Sequence, residues 1–161
     1  MLTGAGAIFL EFEPDLGKLH PIFPLTALYM SNKKDNPMST QTVLVVDDSC
    51  TVRKKLQRAL EGAGYHVLLA EDGERAIEML HRKPDMMILD IVMPGMDGYD
   101  VLEAMKELDP SLSELPVLFL TSMNNQALRL LGQQYGAYLQ KPVDEESLLT
   151  TIRKTMPAAS V

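Results

Sequence analysis

The sequence predicts a doubly wound α/β domain: a five-stranded parallel sheet with helices on both faces. Three observations carry this. From residue 42 onward, five short apolar runs alternate with five segments whose apolar residues recur at three- and four-residue spacing. Such alternation implies a parallel sheet covered on both sides. The first, third and fourth runs, 43–46, 86–89 and 117–120, are nearly all apolar, as central strands buried on both faces must be. Turn and breaker residues punctuate the alternation: Gly62 and Gly64, Pro84, Pro94-Gly95, Pro110 and Gly136.

The first strand, 43–46, runs into Asp47 and Asp48. Ser49 is placed to cap a helix with its side-chain oxygen. That helix carries Val52, Leu56, Ala59, Leu60 and Ala63 on its apolar stripe, and Gly62 and Gly64 end it. Residues 67–70 form the second strand. Asp72 caps a second helix with Ala76, Ile77 and Leu80, which stops before Pro84 because the residue preceding a proline is driven out of the helical region. The third strand, 86–89, ends at Asp90 and gives way to the turn-rich loop Met93-Pro94-Gly95-Met96-Asp97-Gly98. A third helix uses Val101, Leu102, Met105 and Leu108 and then meets Pro110.

The fourth strand, 117–120, leads to Thr121. A fourth helix is expected over roughly 125–135, with Ala127, Leu128 and Leu131 inward and Gly136 at its end. The fifth strand, near 137–140, is short, and Lys141-Pro142 follow it. The last helix opens on Asp144, Glu145 and Glu146 and closes on Arg153 and Lys154, the charge order a helix dipole favours. Its stripe is Leu148, Leu149 and Ile152.

These elements fit one domain over 39–157, with 158–161 as a short tail. Residues 1–38 differ. Pro14, Pro21, Pro24 and Pro37 interrupt them and no period persists. They are expected to be a disordered leader or a start-site artefact, with Met38 as the natural start. The competing reading is a docking tail using Ile22, Phe23 and Leu25. Residues 2–10 are apolar but lack a basic n-region, which disfavours a secretory signal.

Composition narrows the function. At 161 residues, 46% hydrophobic and 23% charged, the chain has material for one ordinary core. A net charge of −7 disfavours nonspecific binding to DNA or to an anionic membrane. No run reaches the roughly 18 apolar residues of a membrane helix. The single cysteine, Cys50, permits no internal disulfide and is compatible with a cytoplasmic setting. Placed at a helix start, it is read as an inert packing residue.

The chemistry lies just past the strands. Asp47, Asp48, Asp90 and Lys141 all follow apolar runs, so a parallel sheet brings them to its carboxyl edge, where open α/β proteins bind ligands. In the common doubly wound order the first and third strands are neighbours, which puts the three acids within one ion's reach. Clustered carboxylates repel one another unless a cation joins them. A hard divalent ion, Mg2+, suits an all-oxygen set. Thr121 and Lys141 would supply a hydroxyl and an ammonium to phosphoryl oxygens. Taken singly, each residue also reads as a turn acid, a cap or a surface lysine; the conjunction argues for a site.

Residues 42–157 resemble the receiver domain of bacterial two-component response regulators, of the stand-alone chemotaxis or pilus-relay type. The matching pieces are Val45-Val46-Asp47-Asp48-Ser49, Asp90-Ile91-Val92-Met93-Pro94-Gly95-Met96-Asp97-Gly98, Leu120-Thr121-Ser122 and Tyr138-Leu139-Gln140-Lys141-Pro142. The resemblance implies a flavodoxin-like sheet of order 2-1-3-4-5. It implies that Asp90 is the phosphoacceptor, that Asp48 is a direct Mg2+ ligand and Asp47 a ligand through water, and that the Val92 carbonyl completes the protein's share. Thr121 and Tyr138 resemble the switch pair, Lys141 the partner of the acyl phosphate, and Pro142 the fixer of the next loop through a cis bond. Val92 and Met123 are expected to flank the phosphoryl group and slow its hydrolysis. The chain departs from the family in one place: two residues usually present between Gly136-Ala137 and the switch aromatic are missing.

The implied function is a phosphorylation-dependent relay, with no separate substrate turnover. A sensor histidine kinase or phosphotransfer protein would supply the phosphoryl group. A separate effector would read the surface of helix four, strand five and helix five, since nothing but a few residues follows the last helix. The chain would be a monomer or a phosphorylation-dependent dimer, without direct contact to nucleic acid or membrane. Three readings compete. Aspartate-nucleophile phosphatases carry Asp-x-Asp after strand one, whereas here Asp47 and Asp48 are adjacent. A flavin site needs a hydroxyl- and glycine-rich loop where Asp47-Asp48-Ser49-Cys50 stands. A phosphorylation-independent docking module would have no use for Asp47, Asp48, Asp90, Thr121 and Lys141 together.

Overall fold

The computed structural model describes residues 40–122, 130 and 133–156. Five parallel strands, β1 (Thr42–Val46), β2 (His66–Ala70), β3 (Met86–Leu89), β4 (Val117–Thr121) and β5 (Gly136–Gln140), form one sheet of order β2-β1-β3-β4-β5. The doubly wound, flavodoxin-like reading therefore holds. Four helices are described: α1 (Cys50–Gly62), α2 (Gly73–Met79), α3 (Gly98–Leu108) and the C-terminal α4 (Glu145–Thr155). The expected leader, the whole tail over 158–161 and most of the helix over 125–135 lie outside the described residues, as does Met123.

Alternation along the central strands divides the core. Leu44, Val46, Met87, Leu89, Val117 and Phe119 face one side with Ala76 of α2 and Val101, Leu102 and Met105 of α3. Val43, Val45, Met86, Ile88, Leu118 and Leu120 face the other with Leu56, Ala59 and Leu60 of α1 and Leu148 and Ile152 of α4. All twelve of these strand residues are buried, and full burial of one such side chain contributes about 1.5–3 kcal/mol. The central strands β1 and β3 are thus fixed by packing on both faces, and the residues that follow them inherit that rigidity.

Caps set the helix starts. Ser49, Asp72, Asp97 and Asp144 each accept a backbone amide from the first turn of α1, α2, α3 and α4. Asp97 and Asp100 form a reciprocal capping box, which satisfies two otherwise unpaired backbone donors.

Three boundaries differ from expectation. Leu108, expected on the buried stripe of α3, is 60% exposed. It is the last residue of α3, and the following 3-10 turn, Pro110–Glu114, brings Leu112 into the core, as the residue after that turn does with Leu115. Ala63 caps the end of α1 outside the helix and is exposed. The second helix ends at Met79, and Leu80 opens a 3-10 turn that closes on Lys83 in the left-handed region.

β5 begins one residue earlier than expected. Residues 133–135 are helical and run straight into it, with no loop between helix and strand. Gly136 makes that junction at φ +150, and a Cβ there would lie 2.7 Å from Thr155 Cγ2 and 2.9 Å from the Val117 carbonyl oxygen. Glycine is the residue that fits such an approach.

Gly98, the first residue of α3, is packed against the backbone beyond β3. A Cβ on it would lie 2.8 Å from the Asp90 carbonyl oxygen and 2.8 Å from Ile91 Cα. Overpacking a tight site costs about 1–3 kcal/mol. Gly98→Ala is therefore expected to lower the urea midpoint by an amount in that range. An unchanged midpoint would show that the 91–98 loop yields without loss.

Candidate functional site

The register of the sheet assembles the site. Val46 of β1 pairs with Leu89 of β3, so Asp47 and Asp90 emerge side by side, and the Asp90 amide donates to the Val46 carbonyl at 2.9 Å. Thr121 of β4 pairs with Gln140 of β5, and the Lys141 amide donates to the Thr121 carbonyl at 3.0 Å. Four strand ends thereby meet at the carboxyl edge. Asp47, Asp48 and Asp90 offer oxygens that lie within 4.8 Å of one another.

Lys141 joins the two buried acids. Its Nζ donates to Asp47 Oδ2 at 2.6 Å and to Asp90 Oδ2 at 2.5 Å, with the acid side chains 2% and 7% exposed and the lysine 19%. The second oxygen of each acid is also engaged. Asp47 Oδ1 accepts the Ser49 amide at 2.9 Å, and Asp90 Oδ1 accepts the Val92 amide at 3.1 Å. Each carboxylate thus takes one backbone N–H two residues ahead and one hydrogen bond from the same ammonium. Asp48 is exposed and faces solvent.

The charges do not balance. Three carboxylates against one ammonium leave two negative charges at the strand ends. Burial pushes the Asp47 carboxyl above its ordinary value, against the pull of Lys141 and the Ser49 amide. For Lys141, burial works against the charged form, yet the hydrogen bonds to Asp47 and Asp90 hold it above its ordinary value. A divalent cation fits this residual charge, and an all-oxygen donor set selects a hard ion. Asp47, Asp48 and Asp90 are the residues able to hold it.

The remaining candidates surround this group. Thr121 is fully buried at the end of β4, and Val92 is 50% exposed beside Asp90. Tyr138 is half-buried in β5, opposite Phe119 in the register, and packs on the α2–α3 side of the core. The Lys141–Pro142 peptide bond is cis. Lys55 of α1 donates to the Val143 carbonyl at 3.1 Å, tying the loop after Lys141 to α1. A cleft of about 460 Å3 lies beside α1, lined by Thr51, Lys54, Lys55, Arg58, Ala59 and Glu145. It includes none of the three acids.

Sequence reasoning overlooked Arg53 and Glu71. Arg53 Nη1 donates to the backbone carbonyls of Asp47 at 2.6 Å and Asp48 at 3.0 Å. Its Nη2 lies 3.6 Å from Glu71 Oε2, just past β2. A signal was available: α1 has no acid in its first turn, whereas α2, α3 and α4 each do.

Residues 43–153 match the family model described as the response regulator receiver domain. Among curated proteins, the chain is 39% identical over 117 residues to Protein PilH of Pseudomonas aeruginosa, covering 71% of this chain and 96% of that one. It is 43% identical over 114 residues to Response regulator MprA of Mycobacterium leprae, covering 69% of this chain but 49% of that protein. The match thus spans about half the length of this second relative. Among solved structures, the chemotaxis protein CheY4 of Vibrio cholerae superposes with a TM-score of 0.67 at 31% identity, covering 73% of this chain and all of that one. A putative response regulator from Chloroflexus aurantiacus gives a TM-score of 0.63 at 35% identity, covering 71% and 96%. Among the described residues, no helix is long and apolar enough to cross a membrane.

Proposed function

The chain belongs to the response regulator receiver family, and from that premise we propose that it accepts a phosphoryl group on Asp90 and passes the altered state to a separate effector. The donor in this reading is a phosphohistidine on a sensor kinase or phosphotransfer protein, met in the cytoplasm. The observation that carries it is the ammonium of Lys141 held between Asp47 and Asp90, which puts a cation where phosphoryl charge would arrive.

We assign Asp48, Asp90 and the Val92 carbonyl as direct Mg2+ ligands and Asp47 as a ligand through water. When bound, the ion offsets the repulsion between these acids and an incoming phosphate. An Asp90 carboxylate oxygen then attacks phosphorus. The O–P bond forms as the donor's N–P bond breaks, and the electron pair leaves on the imidazole nitrogen. Lys141 exchanges its Asp90 contact for a phosphoryl oxygen, as a point charge on a flexible stem can. Thr121 donates its hydroxyl to another phosphoryl oxygen. Tyr138 follows Thr121 by turning inward, and the surface around β5 and α4 reports the change as a two-state shift. The likeness to a chemotaxis protein supports a motility component as the effector.

Incubation with Mg2+ and a small acyl-phosphate donor, read by intact mass, tests the proposal. One labile phosphoryl group per chain is the expected result. No adduct with that donor or with a panel of phosphorylated histidine kinases would defeat it. The exposed Val92 side chain restricts water beside the acceptor in this reading. Val92→Asn is accordingly expected to shorten the phosphoryl lifetime severalfold, measured after donor removal; an equal lifetime would count against that role.

A further inference from the structure

We infer that Arg53 is a positioning residue for the paired acids: its guanidinium grips the backbone of the loop between β1 and α1 and fixes where Asp47 and Asp48 stand at the strand-end cluster. This rests on the metal assignment above for its functional consequence, though not for its geometry.

The argument begins with placement. Arg53 is the fourth residue of α1, near the positive end of the helix dipole, where a cation is disfavoured. Helical side chains lean toward the N-terminus, so the guanidinium reaches back over its own helix start. There it is 13% exposed, an expensive position for a charge without compensating contacts. The compensation is specific. One nitrogen, Nη1, donates to both the Asp47 and the Asp48 carbonyl oxygens, and Nη2 faces Glu71.

These contacts fall on the backbone side of the loop. The carboxylates of Asp47 and Asp48 remain outside the guanidinium's hydrogen bonds and can serve another cation. A second anchor acts on the same segment: the Asp47 amide donates to the Ala70 carbonyl at 3.3 Å. Glu71 follows Ala70 directly, so the end of β2 holds the loop both through its backbone and through Arg53. Two adjacent like charges would otherwise favour loop conformers that separate them. A planar fork fixes direction as well as charge, which a lysine ammonium does not.

The test compares the parent with Arg53→Lys and Arg53→Met. Two readouts are needed: the Mg2+ dissociation constant by calorimetry, and amide hydrogen exchange at residues 47–49 without metal. Both variants are expected to bind Mg2+ about tenfold or more weakly, the usual consequence of losing an outer support of metal ligands. Exchange at 47–49 should speed up in both, while the β3 and β4 amides stay protected. Glu71→Gln is expected to shift both readouts in the same direction by less. Unchanged exchange at 47–49 in Arg53→Met would overturn the inference. So would a fall in protection spread evenly over the sheet, which marks a merely structural role. Should Arg53→Met fail to fold, Arg53→Lys carries both readouts. A parent that binds no Mg2+ defeats the metal assignment alone, and the exchange result still decides the role of Arg53.

Discussion

Asp90→Asn is expected to remain unphosphorylated under conditions that fully modify the parent, the largest effect foreseen on activity. The substitution keeps the shape of the side chain. It replaces a carboxylate with an amide, which offers no anionic oxygen for attack on phosphorus. It also removes one of the three clustered negative charges, and one of the two that Lys141 pairs with, so Mg2+ affinity should fall together with acceptor capacity. Intact mass after exposure to the acyl-phosphate donor reads the first effect, and metal titration the second. A variant that still gains one phosphoryl group would place the acceptor elsewhere. Asp48 would then be the residue to examine, since it is the exposed acid of the three. The assignment to Asp90 depends on its neighbours: the Val92 amide and Lys141 hold both of its oxygens in place, and the β1–β3 pairing fixes its backbone.

Much of this arrangement was legible because the central strands are buried on both faces. Runs such as 86–89 have one reading when no polar residue interrupts them, and the residue that follows a strand is then known to one position. The convergence of Asp47, Asp48, Asp90 and Lys141 follows from that and from the parallel order. What escaped depends on tertiary packing. Leu108 fits the helical period of α3 as well as Met105 does, but the chain leaves the helix there and Leu112 takes the core position. Arg53 looks like one more solvated cation on α1, because periodicity says which face a side chain is on and nothing about which backbone carbonyls lie within its reach. The shortened entry to β5 was visible as a gap in spacing. Its structural meaning, a helix that runs directly into a strand through Gly136, needed the positive φ and the nearness of Thr155 and Val117.

Lys141→Met is expected to produce the largest loss of stability, and the loss should depend on pH. The variant keeps an apolar stem of similar length but leaves Asp47 and Asp90 buried without their shared cation. Removing one partner of a buried ion pair costs about 3–5 kcal/mol, and the lower end is expected because Lys141 is 19% exposed. The direction with pH follows from linkage. In the parent, the Asp47 carboxyl lies above its ordinary 3.8. The folded state therefore holds its proton longer than the unfolded chain. That contribution is full below pH 3.8 and is lost as the pH rises through the folded value. Lys141 lies above its ordinary 10.5, so its contribution is complete at neutral pH and is lost only as the pH rises through its folded value. Without the lysine, the pull that restrains Asp47 is gone and its carboxyl moves higher. Stability of the variant should then fall more steeply than the parent's as pH rises toward neutrality. Urea unfolding at neutral pH and below pH 3.8, both without divalent metal, measures the two gaps. A wide gap at neutral pH that narrows in acid is the expected pattern, and Mg2+ should recover part of the neutral loss by replacing the missing positive charge. Equal gaps at both pH values would mean that Lys141 acts through packing of its stem rather than through its charge. In that case the ammonium would not be the counter-ion that holds the unmodified site together, and its place in the phosphoryl step would need another support.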